Sequence, residues 1–542
     1  MFGTKQINTV NIVPAVKILY VLQILILGVY TLGKLTYIQG AFILTATNLV
    51  TGSISFVFRV FLTRAIGSEG IGVYQLILPL YLLFITLVSG GVITAVSKLI
   101  AEQVPGRNYR NMYKIIKISE ITIGIWSLAL CILIFFNTDY LANHVLKDNR
   151  TQLSVLVFTP AVFFISLSAV LKGYFFGLQD VNPPAFIDIL EKLIRVVGLL
   201  LTTYYLLPFG IEYVCAGVMA GMAAGELISL FLLYLQYKIR RPVVSTRTDT
   251  DLTAKIIVRI LKTALPLSLS GALTTIMDMV IAIIVPMQLR LAGYSNSNAL
   301  SLYGQVTGMV MPLLFFPFII ISSLGITLVP AITASYTAGN WTALNKKCND
   351  SLKITSVIAF ASTALFIIFP WELCRIFFKC PEAGNMLFLM AFVCIFEYWQ
   401  FTLFAVLNGI GMQHVVLKNS ILHIIISVAC SYFLIPIPSI GIYGFVIGFC
   451  ASAVLICLWN LMDIKRVRRI RIEYGNSLLK PFIAFIVMLT AIKHCNYYLI
   501  TNNIRSSNMI ISSLAGLVCF FLVLILTGAI TLKQLKSTFA IK

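Results

Sequence analysis

PLYLLFITLVSGGVITAVSKLIAEQVPG, residues 79–106, is echoed by PLLFFPFIIISSLGITLVPAITASYTAG, residues 312–339. At one constant offset of 233, Pro79, Leu80, Ser89, Ile93, Thr94, Val96, Ala101 and Gly106 match Pro312, Leu313, Ser322, Ile326, Thr327, Val329, Ala334 and Gly339. Eight identities in 28 gapless positions exceed the roughly two or three that a shared apolar composition supplies. The general use of Gly and Pro in membrane helices does not produce one constant offset either. Order and spacing persist downstream: Val170, Leu171, Gly173 and Gln179 pair with Val406, Leu407, Gly409 and Gln413, and Gly210, Ile211 and Gly217 with Gly441, Ile442 and Gly448. The chain reads as two copies of one unit.

Hydropathy says what the unit is. The 542 residues are 59% hydrophobic and 11% charged, with a mean hydropathy of +0.96. Lipid is the solvent that tolerates so much apolar surface. Windows long enough to span lie near 38–63, 71–100, 113–136, 153–176, 184–208 and 213–237, then 256–287, 300–334, 352–371, 384–410, 415–436 and 441–462, and finally 477–499 and 509–532. The prediction is an all-α polytopic membrane protein of about fourteen transmembrane helices. Six helices per half is an even number, so both halves enter from the same side and form parallel-repeat lobes around a central cleft.

The expected organisation is an N-terminal extension over 1–33, a first lobe over 34–240 and a basic linker over 241–255. A second lobe over 256–463, a basic loop over 464–476 and a two-helix unit with its tail over 477–542 follow. Within the extension, the run from Ile18 to Gly33 is short for a span and stands as an extra, interfacial or uncleaved hydrophobic segment.

Cations orient the helices. One set of gaps, with the adjoining helix ends, carries 25 Lys and Arg, including Lys114, Lys172, Arg240, Arg241, Lys346, Arg468 and Lys536. The opposite set carries 8: Arg64, Lys147, Arg150, Arg290, Arg375, Lys379, Lys493 and Arg505. This bias places the C-terminus and both basic loops in the cytoplasm, with the chain in the cell membrane. The net charge of +21 then reflects topology and contacts with anionic membrane lipids, and no nucleic-acid partner is expected. Of 11 cysteines, seven sit inside apolar runs as small hydrophobes, while Cys374 and Cys380 share one predicted outer loop as a candidate pair.

Ionisable residues inside spans mark cavities or pathways. Asp188, Glu191, Lys192 and Arg195 lie three and four residues apart, on one face of the fifth helix. They read either as a charged cavity wall or as an internal ion pair that locks helices. Arg59 sits deep in the first helix, and its planar fork suits a phosphate or diphosphate. Arg64, one turn on, reads as an anchor that snorkels. Glu226, Asp278 and Glu397 are single acids in the sixth, seventh and tenth helices, each a coupling site for a proton or sodium ion, or the partner of an Arg. Gln305 is a neutral hydrogen-bonding candidate at the cleft, and His423 is expected to pack. No nucleotide-binding loop, zinc-protease helix or aspartate-rich metal motif occurs in the sequence. The expectation is a transporter, not an enzyme, with no cofactor.

Several stretches resemble the stage V sporulation protein B group of polysaccharide and lipid-precursor transporters, within the multidrug, oligosaccharidyl-lipid and polysaccharide exporter superfamily. They are Asn48 to Arg59, Arg64 to Gly70, Lys98 to Glu102, Lys172 to Gln179, Glu191 to Val196, Ala292 to Ser295 and Leu302 to Gln305. The similarity runs from about residue 34 to the end. It implies a twelve-helix core of two lobes plus two helices, a cationic central cavity and a groove for a lipid tail. Members often carry an arginine seven residues before Arg59, where this chain has Gly52. The expected substrate-binding set is Arg59, Lys172, Glu191, Arg195 and Gln305.

The expected function is a flippase for an undecaprenyl-diphosphate-linked saccharide, a peptidoglycan precursor for spore cortex, working by alternating access as a monomer. Alternatives are a flippase for another polysaccharide repeat unit, or an ion-coupled exporter of cationic compounds, which needs an acidic cavity. A membrane acyl or glycosyl transferase needs a catalytic site for which only His423 is at hand.

Overall fold

The computed structural model describes residues 37–106, 108–240, 252–467, 470–501 and 508–529, and among them every regular element is a helix. The hydrophobic run over 18–33 and residues 241–251 of the linker lie outside the described residues. Helices answer the demand of hydrocarbon that each backbone N–H and C=O be satisfied within its own segment.

The first lobe holds α1 (Tyr37–Ser89), α2 (Val92–Ala101), α3 (Tyr109–Phe136), α4 (Gln152–Gly177), α5 (Asn182–Leu206) and α6 (Ile211–Arg240). The second lobe opens with α7 (Thr253–Leu291) and α8 (Asn296–Gly304), then passes through a π-helical turn, Gln305–Val310, into α9 (Met311–Phe315) and α10 (Phe318–Thr337). It continues with α11 (Trp341–Ile368), α12 (Pro370–Phe378), α13 (Gly384–Ala391), α14 (Cys394–Gly409), α15 (Gln413–Leu434) and α16 (Tyr443–Arg466). The pair α17 (Lys480–Thr501) and α18 (Asn508–Leu526) closes the described chain.

Eleven described helices are long and apolar enough to cross a membrane, or twelve if the bent pair Pro381–Ala391 and Cys394–Gly409 is one span. A count of fourteen needs two additions. One is division of α1 at Gly67, whose φ of 70° and ψ of −172° break the helix in a region that glycine alone enters cheaply. The other is α5, which the charges of Glu191, Lys192 and Arg195 exclude from a purely apolar count. The chain is a multi-pass membrane protein.

The repeat is visible in the backbone. Asn108 caps α3 by accepting from the Asn111 amide at 3.1 Å, and Asn340, 232 residues on, caps α11 from the Ala343 amide at 3.0 Å. At the same offset Lys147 and Lys379 both turn left-handed, with φ of 57° and 56°. Such caps satisfy amides that a helix start leaves open.

Packing divides unevenly along the length of the helices. One apolar cluster joins both lobes, with Leu62, Ile71, Leu80, Leu300, Leu314 and Tyr398 among its buried members. Toward the other end it splits. Val96, Met112, Phe175 and Tyr237 form a cluster in the first lobe, together with Ile256 and Ile260 of α7. Ile332, Leu352, Leu403 and Ile464 form a separate one in the second lobe. The molecule is therefore a V, joined near the bend of α1 at Gly67 and divided into separate packing clusters toward the ends of α6 and α16.

Equivalent residues meet at the joined end. Ser68 and Ser301 are 233 apart in sequence, and their hydroxyls lie 2.7 Å from one another. A Cβ on Gly72 would run into the Leu300 carbonyl, so glycine there lets the second limb of α1 cross α8 at backbone contact. The first limb of α1 leans on the second lobe, where Phe56 packs at a tilt against Phe316 with ring centroids 4.5 Å apart.

Candidate substrate cleft

The inside of the V is a cavity of about 660 Å³. Its charged lining residues are Arg59, Lys192 and Arg195, and no acid is among the residues that line it. Tyr74, Tyr81 and Thr307 add polar groups, while Met311, Phe315 and Ile319 give the facing wall its apolar character.

Most of the cations are neutralised. On α5, Glu191 receives Lys192 at 2.9 Å and contacts Arg195 one turn on. Arg195 also reaches Glu226 of α6 at 2.6 Å. Lys172 of α4 holds Asp188 at 2.6 Å. Three acids and three bases thus cancel within a set that ties α4, α5 and α6 together. With Glu191 only 3% exposed, its carboxylate needs these partners, because an unpaired buried charge is costly.

Arg59 stands apart. Its Nη1 donates to the Thr307 carbonyl at 3.4 Å, and no ion pair to it occurs among the described residues. It is the one cavity-lining cation without an acidic partner among them.

The structure sorts the other expected residues. Lys172 and Glu191 belong to the ionic network and do not line the cavity. Gln305 is also absent from the lining; it is 9% exposed at the start of the π turn, packed where α8 meets α1. Glu226 is held by Arg195. Asp278 is exposed on α7 without an ion pair or hydrogen bond among the described residues. Glu397 on α14 has a buried Oε2 with no partner. His423 packs edge-on against Phe449 at 6.4 Å. Cys374 and Cys380 are free thiols.

Arg64 departs from the anchoring role. Its guanidinium crosses between lobes and donates to the Phe377 carbonyl at 2.7 Å and to the Ile376 carbonyl, at the C-terminus of α12. A helix C-terminus leaves carbonyls unsatisfied and carries partial negative charge, so an arginine fits there. Close by, Arg150 bridges Asp148 at 2.8 Å and Glu69 at 2.7 Å, and Asp148 accepts from Asn296 of the second lobe at 3.5 Å. Burial alone raises the pKa of Asp148, but the hydrogen bonds and charge of Arg150 outweigh it and hold the carboxyl below its ordinary value.

Gln75 and Thr307 were not anticipated. Gln75 Nε2 donates to the Thr307 carbonyl at 2.7 Å, alongside Arg59. An intramembrane glutamine was the available signal; a backbone acceptor has no letter in the sequence.

Two lobes around a cationic cleft define a transporter of the multidrug, oligosaccharidyl-lipid and polysaccharide exporter fold. A solved multidrug resistance MATE family transporter of the MOP superfamily, in its inward-facing conformation, superposes with a TM-score of 0.64 at 16% identity, covering 79% of this chain and 99% of that one. The chain belongs to the polysaccharide biosynthesis protein family, whose model matches residues 37–336. It is 30% identical to Stage V sporulation protein B of Bacillus subtilis (strain 168) over 445 residues, which is 82% of this chain and 86% of that protein. It is 22% identical to the Lipid II flippase MurJ of the same organism over 457 residues, 79% of this chain and 82% of that one.

Proposed function

We propose that the protein flips a polyprenyl-diphosphate-linked saccharide, a peptidoglycan precursor for spore cortex, from the cytoplasmic to the outer leaflet of the cell membrane. The observation that carries this reading is Arg59, an unmatched cation in a cavity whose lining contains no acid. A diphosphate needs a fixed positive charge to enter a medium that penalises charge, while a prenyl tail stays in lipid. Similarity to a flippase of lipid II and to a sporulation protein supports the cargo and the setting. An exporter of cationic compounds fits less well, because its cavity should be acidic.

The charge bias of the loops supports an orientation in which the V opens to the cytoplasm, where the precursor is made. The expected organisation into two lobes and a C-terminal pair is kept in this reading, as is action by a monomer. Of the three coupling candidates, Asp278 and Glu397 are the acids that have no ion pair among the described residues. We assign proton or sodium coupling to them, and a structural role to Glu226.

Arg59→Ala should lower transport about 30-fold or more, and Arg59→Lys should retain part of it, since lysine keeps the charge and loses the fork. Both variants should reach the membrane in normal amount. The readout is precursor on the inner leaflet beside membrane abundance, and full transport by Arg59→Ala would sink the reading. Profiling of lipid-linked precursors in cells lacking the protein should show the peptidoglycan precursor accumulating. Accumulation of a different repeat unit would reassign the cargo.

A further inference from the structure

Thr307 lies in the π-helical turn between α8 and α9, and its carbonyl accepts from two side chains of the opposite lobe. A π turn disturbs the regular i to i−4 ladder and recurs at functional sites, where it presents backbone groups to outside donors. Gln75 is 8% exposed and its Oε1 has no partner. Its amide orientation is therefore set by the one bond it makes, since the flipped amide would place oxygen against oxygen.

The two bonds are unequal. Gln75 donates at 2.7 Å, within the ordinary range, whereas Arg59 donates at 3.4 Å, beyond it. A phosphate offers Arg59 a charge-assisted, two-pronged alternative that is stronger than a long bond to a neutral carbonyl. Arg59 is thus both the cation of the cleft and a tie between lobes. Exchange of its partner changes the lobe contact at a fixed position.

We infer that the Thr307 carbonyl is the resting acceptor of Arg59, which leaves it for an anionic headgroup, so that occupancy of the cleft loosens the joined end of the V while Gln75 keeps the lobes in register. This deepens the proposed function and rests on its claim that Arg59 takes the headgroup. Coupling of this kind needs a ligand that interacts differently with two states, and the exchange supplies that difference.

Ser68 and Ser301, about two helical turns beyond Gln75 and Thr307, report on the joined end. Ser68→Cys with Ser301→Cys, in the full chain without its native cysteines and in lipid nanodiscs, should cross-link rapidly under copper phenanthroline. Farnesyl diphosphate should slow the cross-link about fivefold or more, and farnesol, which lacks the charge, should leave the rate unchanged. In a Gln75→Leu background Arg59 is the remaining donor, so the slowing by farnesyl diphosphate should grow. A merely structural glutamine would lower abundance and leave that ratio alone.

Binding of radiolabelled farnesyl diphosphate is measured on the same sample. Binding with an unchanged cross-linking rate overturns the coupling and leaves the proposed function standing; no binding overturns both. Should the double-cysteine protein fail to fold, hydrogen exchange of residues 301–310 in the unmodified chain gives the same test. Faster exchange with farnesyl diphosphate is expected, and no difference refutes the inference.

Discussion

The two lobes share one fold, yet their matching helices carry different chemistry. At the offset of 234 set by Gln179 and Gln413, Asp188, Glu191, Lys192 and Arg195 of α5 correspond to Leu422, Ile425, Ile426 and Ala429 of α15. At the offset of 231 set by Gly210 and Gly441, Glu226 corresponds to Cys457. Where the first lobe has a neutralised ionic network, the second has an apolar pocket of about 300 Å³ lined by Met277, Val280, Ile425, Ala429 and Tyr432. The repeat keeps backbone instructions, such as the Asn108 and Asn340 caps, and lets side-chain chemistry diverge. The cleft's cations sit in the first lobe; to the cleft the second contributes the Thr307 carbonyl and apolar surface, while it carries Asp278 and Glu397 elsewhere.

The largest test of this contrast is Arg195→Ala. It leaves Glu191 and Glu226 short of a partner inside the membrane, an imbalance worth about 3–5 kcal/mol, so folded protein should fall sharply in membranes. A change on the corresponding helix of the second lobe, Ile425→Leu at the counterpart of Glu191, conserves volume and should leave abundance near normal. Fluorescence-detected size exclusion reads both, and normal abundance of Arg195→Ala would break the claim that the network is structural.

A smaller effect separates the acids. Glu397→Gln and Asp278→Asn should preserve abundance and remove the dependence of transport on the ion gradient, because neither acid balances a nearby cation. Glu226→Gln should instead lower abundance, since it strips Arg195 of a partner. Ion dependence surviving in both Glu397→Gln and Asp278→Asn would place coupling elsewhere.

The smallest effect is at the joined end. A carboxyl held below its ordinary value contributes stability that is present above that value and is lost as pH falls through its lowered one. The Asp148 contacts should therefore persist across about pH 5 to 8, with any loss confined to pH below the ordinary 3.8. Melting temperature against pH reads this, and Asp148→Asn should flatten the acid limb. An Asp148-dependent transition above pH 5 would contradict the assignment.

What could be read from the sequence follows from what membranes penalise. Charges in α5 stand out because hydrocarbon excludes them, so the network was visible, although spacing alone left open whether it lines the cleft or locks helices. The structure gives both parts: Lys192 and Arg195 face the cavity, while Glu191 and Glu226 hold them from behind. Gln305 reads from sequence as a neutral hydrogen-bonding group at the cleft; its position at the crossing of α1 and α8 buries it outside the cavity lining. Arg64 looked like an anchor because one helix shows where a side chain starts, and only the second lobe shows where it ends. The Thr307 acceptor was beyond reach, since any residue carries a carbonyl and the π turn that presents it leaves no pattern of its own.

The Ser68–Ser301 contact has a further consequence. A residue on the axis relating two like halves meets its own counterpart, so it must be self-complementary. Lysine facing lysine or aspartate facing aspartate repels, whereas a hydroxyl both donates and accepts and can bond to its own image. The axis is thus the one line in the molecule where duplication restricts chemistry instead of freeing it. Away from that line, Arg59 and the α5 network were able to specialise in one half without a copy in the other.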